Sequence, residues 1–200
     1  MDKQVGVIGL GAMGGGMARS LRRAGHGVHV FDLRADAAQA FAAEGGTAHT
    51  SAAELAAQCD VVVSVVVNAA QTEELLFGAG GVAQAMRQGS VFVMCSTVDP
   101  GWSAALETRL AERGLLYLDA PISGGAAKAA AGQITMMTAG RPEAYEQCGA
   151  LLDAMVVGLR NRDAVSLSAE YCFFTYSASE LSRIIFLTCG IAVAFMLAYF

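Results

Sequence analysis

Charge is scarce in this 200-residue chain. Charged residues make up 16% of it against 54% hydrophobic, a balance that excludes disorder and allows a sizeable core. Lys and Arg are outnumbered by Asp and Glu, the formal charge is −5, and the cations are scattered. No basic field for nucleic acid results. The five cysteines (Cys59, Cys95, Cys148, Cys172, Cys189) are odd in number and widely spaced, with no C-x-x-C pair. That suggests neither a disulfide framework nor a zinc site, and suits reduced, mostly buried thiols in a cytoplasmic protein. His26, His29 and His49 show no ligand spacing and read as structural, so no metal site is expected. No signal-peptide pattern precedes the first apolar run. The length suits one domain, or one domain plus a fragment of another.

What is present is a run that breaks into glycines. Gln4 to Ile8 are short and rich in β-branched residues, which reads as a buried strand. Gly9, Leu10, Gly11, Ala12, Met13 and Gly14 then give the G-x-G-x-x-G spacing, and Met17, Ala18 and Leu21 continue at helical spacing. The first glycine permits a tight turn, the second lets backbone approach a pyrophosphate, and the third lets helix and strand pack closely. The helix N-terminus then offers N–H groups and a positive dipole end to the phosphates. Alone this spacing is weak evidence. Here a second strand, His29-Val30-Phe31, ends at Asp32, 18 residues after Gly14. That is close to the offset of about 20 expected for a carboxylate on the adenosine ribose. Asp32 would face a 2′-phosphate, so NAD is expected ahead of NADP, although Arg34 offers a nearby cation.

Strands and helices then alternate as far as Met155, which predicts a doubly wound, mainly parallel α/β sheet of Rossmann type. Val61 to Val67 is a valine run of the kind a parallel strand buried on both faces needs. It ends at Asn68, which is either a ligand-facing residue at a strand's carboxyl end or a turn former. Ser51-Ala-Ala-Glu54 has the spacing of a capping box. Ser90 to Met94 predict a strand followed by Ser96 and Thr97, whose hydroxyls contact cofactor or cap the next helix. Leu115 to Leu118 predict another, followed by Asp119-Ala-Pro-Ile-Ser123-Gly124-Gly125. Those two glycines would let a small polyol or acid lie against backbone N–H groups, or they form a plain strand–helix junction. Ile134 to Thr138 read as a strand, and Pro142 to Met155 as a helix with Pro in its first turn.

Residues 156–200 read differently. Only Gly158 and Gly190 occur there, and five of the nine phenylalanines do. Ile184 to Phe200 is 17 residues without a charge, at the lower limit of about 17 for a membrane span. A long apolar helix packing on a partner subunit or the sheet, a tail anchor, and an altered or truncated segment all stay open. The division expected is residues 1–158 as an NAD(P)-binding domain and 159–200 as an atypical C-terminal segment.

Three stretches in order, Ile8-Gly-Leu-Gly-Ala-Met-Gly14, Ser96-Thr97-Val98 and Asp119-Ala-Pro-Ile-Ser-Gly-Gly125, carry a resemblance. The chain resembles the β-hydroxyacid dehydrogenase family, which includes 3-hydroxyisobutyrate dehydrogenase and tartronate semialdehyde reductase. Val67 to Glu73 and Ser123 to Ala129 look most like its L-threonate-oxidising members. The resemblance covers residues 4 to about 155. It implies that Gly9 to Gly14 hold the pyrophosphate, Asp32 and Leu33 the adenosine ribose, and that Asn68 and Thr97 approach the nicotinamide half. It implies that Ser123, Gly124 and Gly125 bind a small hydroxy-acid substrate, whose carbinol carbon gives hydride to the nicotinamide. It also implies a lysine as general base, an all-helical second domain and a homo-oligomer. No lysine follows Lys128, Phe173, Phe174 and Tyr176 stand in its region, and 200 residues leave no room for the second domain. The alternative is therefore a dinucleotide-binding chain without its own catalysis.

Overall fold

The structure, a computed structural model, describes residues 3–156. The expectations for residues 159–200, including the apolar stretch 184–200, lie outside the described residues. The chain lays down β1 (Gln4–Ile8), α1 (Gly14–Arg23), β2 (Gly27–Phe31), α2 (Ala35–Ala43), β3 (Thr47–Ala48), α3 (Ala52–Gln58) and β4 (Val61–Ser64). It continues through α4 (Ala69–Phe77), α5 (Val82–Ala85), β5 (Val91–Met94), α6 (Pro100–Ala111) and β6 (Leu116–Asp119). A short β7 (Ile122–Ser123), α7 (Gly125–Ala131), β8 (Thr135–Met136), β9 (Ala139–Gly140) and α8 (Pro142–Met155) follow within the described residues.

Seven strands form one sheet in the order β3-β2-β1-β4-β5-β6-β9. The first six are parallel, and β9 joins β6 antiparallel. This is the doubly wound order, and it reverses between β1 and β4, where such sheets bind ligands at their carboxyl edge. Alternate side chains supply the two faces. Val5, Val7, Val61, Val63, Val91 and Val93 pack with Met17, Leu21, Phe41 and Leu152 on one side. Ile8, Val62, Phe92 and Met94 pack with Leu55, Leu76, Leu106 and Leu110 on the other. Every residue of β4 and β5 is buried, as strands covered on both faces require.

Three local readings change. The valine run does not stay in the sheet: β4 ends at Ser64, although valines continue to Val67. A ladder needs neighbours, and the β1 chain has already turned at Gly9, so Val67 is 79% exposed. The predicted strand Ile134 to Thr138 divides. Thr135–Met136 pairs antiparallel with Ile122–Ser123 in a separate ribbon, and Ala139–Gly140 edges the main sheet. The capping box is displaced by one residue. Ser51 Oγ accepts from Glu54 N, but the Glu54 carboxylate accepts from Thr50 N and Oγ1.

Among the described residues no helix is long and apolar enough to cross a membrane. His29 and His49 stack, with Nδ1 and Nε2 2.8 Å apart, and His29 Nε2 meets Gln4 Oε1 at 3.1 Å. They fill a packing position between β2 and β3. Cys59, Cys95 and Cys148 are buried, and burial pushes each thiol up to about 12. None is a reactive thiolate at neutral pH.

Candidate functional site

The glycine loop is built by exclusion of side chains. Gly9 leaves β1 with φ +94°, and its N–H donates to Phe31 O at 2.9 Å. A Cβ there would lie 2.5 Å from Val65 O, so the turn is held between the β2 and β4 chains. A Cβ on Gly14 would collide with Gly9 O and sit 3.2 Å from the Val65 side chain. A Cβ on Gly11 would meet nothing within 4 Å. Two glycines therefore let the protein pack on itself, while the middle one faces open space where a ligand can approach. No side chain caps α1, and its first turn carries no acid. Gly15 N donates to Gly11 O at 3.2 Å and Met17 N to Met13 O at 3.0 Å, and with no acid there the positive dipole end favours an anion.

Asp32 ties the second strand to this loop. Its Oδ2 accepts from Leu10 N at 2.6 Å, and Oδ1 accepts from Arg34 N at 2.8 Å and Arg34 Nε at 3.3 Å. Burial pushes the carboxyl up, but the Arg34 and Leu10 N–H groups and the Arg34 guanidinium outweigh it and hold the group below its ordinary value. Asp32 is thus a carboxylate at neutral pH, set beside the glycine turn. Leu33 follows it, 94% exposed: a large apolar side chain on the rim with nothing above it.

The next two loops meet the same edge. Val65 N donates to Ile8 O at 2.8 Å, and Cys95 N to Ser64 O at 2.9 Å. Asn68 lies four residues past β4 and caps α4, its Oδ1 accepting from Gln71 N at 2.9 Å. The expectation that Asn68 ends the strand is corrected, and the turn-forming reading describes its carbonyl. Its amide donors are the atoms left for a ligand. Of the two hydroxyls after β5, Ser96 Oγ donates to Val66 O at 2.7 Å and is buried. Neither hydroxyl caps α6; Asp99 does, accepting from Trp102 N at 3.0 Å with Pro100 next. Thr97 is left exposed on the rim.

Ser123, Gly124 and Gly125 form a second loop beyond β6. Ser123 is exposed at the end of β7, and Gly124 and Gly125 take φ +132° and +78°. Among the described residues no hydrogen bond joins this loop to the first one. The two are connected through their helices. A Cβ on Gly16 of α1 would lie 2.6 Å from Ala130 N of α7, and Ser20 Oγ donates to Ala129 O at 3.0 Å.

Beneath the second loop lies a cluster that the sequence did not announce. Asp119 Oδ2 accepts from Ser103 Oγ at 2.8 Å, and Ser103 Oγ shares a hydrogen bond with Tyr117 OH at 2.8 Å. Oδ1 is buried with no partner. Burial raises the Asp119 carboxyl to about 6 against the pull of Ser103 and the Ala120 N–H, and pushes the Tyr117 phenol well up. The only signal in the sequence is an acid closing an apolar strand. Among the described residues no group of three or more His, Cys, Asp or Glu could hold a metal ion.

Comparison with known proteins fits this geometry. A family model, the NAD binding domain of 6-phosphogluconate dehydrogenase, matches residues 4–162. An L-threonate dehydrogenase of Cupriavidus necator is 56% identical over 155 residues, covering 78% of this chain and 52% of that protein. An NAD-dependent L-serine dehydrogenase of Pseudomonas aeruginosa is 39% identical, covering 76% of this chain and 51% of that protein. The crystal structure of a 3-hydroxyisobutyrate dehydrogenase from Salmonella typhimurium superposes with a TM-score of 0.78 at 38% identity, covering 96% of this chain and 64% of that one. The chain spans about half the length of the curated relatives it matches.

Proposed function

Because the chain belongs to the family of the NAD-binding domain of 6-phosphogluconate dehydrogenase, we propose that its carboxyl edge binds NAD for hydride transfer from a small hydroxy acid of the L-threonate type. The observation that carries this is Asp32, a carboxylate held at the glycine loop by Leu10 N–H at the sheet's switch point. Residues 1–158 are the dinucleotide-binding unit in this reading. Gly9 to Gly14 and the N-terminus of α1 take the pyrophosphate. Asp32 takes the ribose hydroxyls, with Leu33 on the outer side. The Asp32 carboxylate would face a 2′-phosphate and so supports NAD over NADP, and Arg34, the nearby cation, is paired with it. Asn68 and Thr97 stand on the rim for the nicotinamide half, and Ser123, Gly124 and Gly125 for the hydroxy acid. When bound, the nicotinamide supplies the hydride acceptor. The residues of the chain bind and orient.

Removing the hydroxyl proton is a separate task. No lysine follows Lys128 in the sequence, and the rim residues Asn68, Thr97 and Ser123 carry no group that titrates near neutral pH. A missing general base lowers a rate by about 10²–10⁴. The reading therefore has two expected results for the chain as it stands. NADH fluorescence rises saturably on titration with protein, and L-threonate produces no more than a marginal rate of NAD reduction at 340 nm. Robust L-threonate oxidation would contradict the second result, and absence of NADH binding by a folded sample the first. Assembly into an oligomer and a cytoplasmic location accord with the same reading.

A further inference from the structure

Beyond the loop residues themselves, we infer that Lys128 sets the specificity of the second loop by holding the carboxylate of an anionic substrate against Ser123 and Gly124. The inference rests on the hydroxy-acid reading of that loop and names the group that makes it select acids.

Lys128 is the fourth residue of α7 and is exposed. Helical side chains lean toward the helix N-terminus and cover the turn before their own Cα. Lys128 does so here. Its Cδ and Cβ lie 3.1 and 3.3 Å from where a Cβ on Gly124 would be, with Ile134 Cα 3.6 Å from the same point. Gly124, at φ +132°, thus makes room for the lysine stem as well as taking a backbone conformation that suits glycine. The lysine stem is thus laid against Gly124 of the loop.

Among the described residues the ion pairs engage Arg19, Arg34, Arg87, Arg109 and Arg141, and Lys3, Arg23 and Arg113 donate to protein oxygens. Lys128, like Arg22, makes neither kind of contact. A Gly125 side chain would meet nothing within 4 Å, so the space in front of the loop is open. A small hydroxy acid offers a carboxylate and several hydroxyls. A lysine and an exposed serine hydroxyl on one loop match that pair of groups, and the lysine would act on the carboxylate as a point charge. Lys128 is not placed here as the proton acceptor. It would orient the substrate and reject its uncharged counterparts.

Lysines occur only at positions 3 and 128, which makes the test clean. The full chain, reductively methylated with ¹³C so that both lysines keep their charge, is titrated with L-threonate in the presence of NADH. L-threonamide, which lacks the charge, serves as the comparison. The Lys128 methyl signal is expected to move saturably with L-threonate and not with the amide, while the Lys3 signal stays fixed. Unlabelled Lys128→Gln should bind L-threonate about two- to fivefold more weakly, the upper range for one exposed ion pair, with NADH affinity unchanged. Lys128→Arg should recover most of the loss. Equal L-threonate binding by wild type and Lys128→Gln, or parallel movement of both lysine signals, overturns the inference. NADH is titrated in the same sample. Loss of NADH binding there counts against the nucleotide reading, whereas NADH binding without a Lys128 response counts against this one alone.

Discussion

At the carboxyl end of β2, Asp32 lies among backbone N–H groups; at the carboxyl end of β6, Asp119 lies among hydroxyls, with one oxygen unpartnered. Asp32 follows β2 and Asp119 ends β6, parallel strands of one sheet. Their surroundings move them in opposite directions. Asp32 is held below its ordinary value and stays charged, while burial carries Asp119 up to about 6. An acid at a strand end is therefore not a function in itself. The donors that the neighbouring loops aim at it, set against burial, decide whether its carboxyl lies below or above its ordinary value.

The largest effect that would sharpen this contrast comes from the loop that supplies Asp32 with its donor. Gly14→Ala forces a methyl into Gly9 O. Overpacking against backbone should cost ~3 kcal/mol in urea unfolding, and NADH binding should vanish. A variant that retains both stability and NADH affinity would show that the turn yields.

Next comes the titration of Asp119. Its folded value near 6 lies above the unfolded value, so the folded state binds the extra proton. Stability is therefore fully present below pH about 4 and falls as pH rises to about 6, by ~3 kcal/mol at most. Asp32 has the opposite sign: its contribution is present above its unfolded value and is lost as pH falls below it. Urea midpoints across pH 3.5–7.5 should show the Asp119 slope, and Asp119→Asn should flatten it between pH 4 and 6. An unchanged slope would remove the distinction between the two acids.

A smaller effect concerns the rim between them. Asn68→Ala removes the cap of α4 and should lower stability by ~1 kcal/mol, with Asn68→Asp retaining most of it. A loss of NADH affinity in Asn68→Asp, with stability kept, would assign its amide donors to the cofactor.

How much of this could be read from the sequence varies with how local the cause is. Gly9, Gly14 and Asp32 were legible because a β-strand, a turn and a helix follow one another within one short unit and impose their own spacing. The sheet was legible because buried parallel strands need uninterrupted apolar runs, as in Val91 to Met94. The end of β4 was not, since Val65 to Val67 keep strand-like composition after their neighbours have turned away. The β7–β8 ribbon was hidden because α7 separates its two strands. The Asp119 cluster depends on Ser103, which α6 brings to Asp119 and Tyr117 across the sheet face. Cap residues were half legible: the Ser51 and Glu54 spacing marks the helix start, while the choice of Thr50 as partner depends on the approach of β3.

The central claim is that Asp32 makes this edge a site for NAD. It is tested most directly by parallel fluorescence titrations of NADH and NADPH with the wild-type chain and Asp32→Ala. The wild type should prefer NADH, and the variant should lose about 10- to 100-fold in NADH affinity, the range for a hydrogen bond to a charged group. Its NADPH affinity should change little, so the preference narrows. Equal NADH affinity in the two proteins, or an undiminished preference in the variant, would contradict the account.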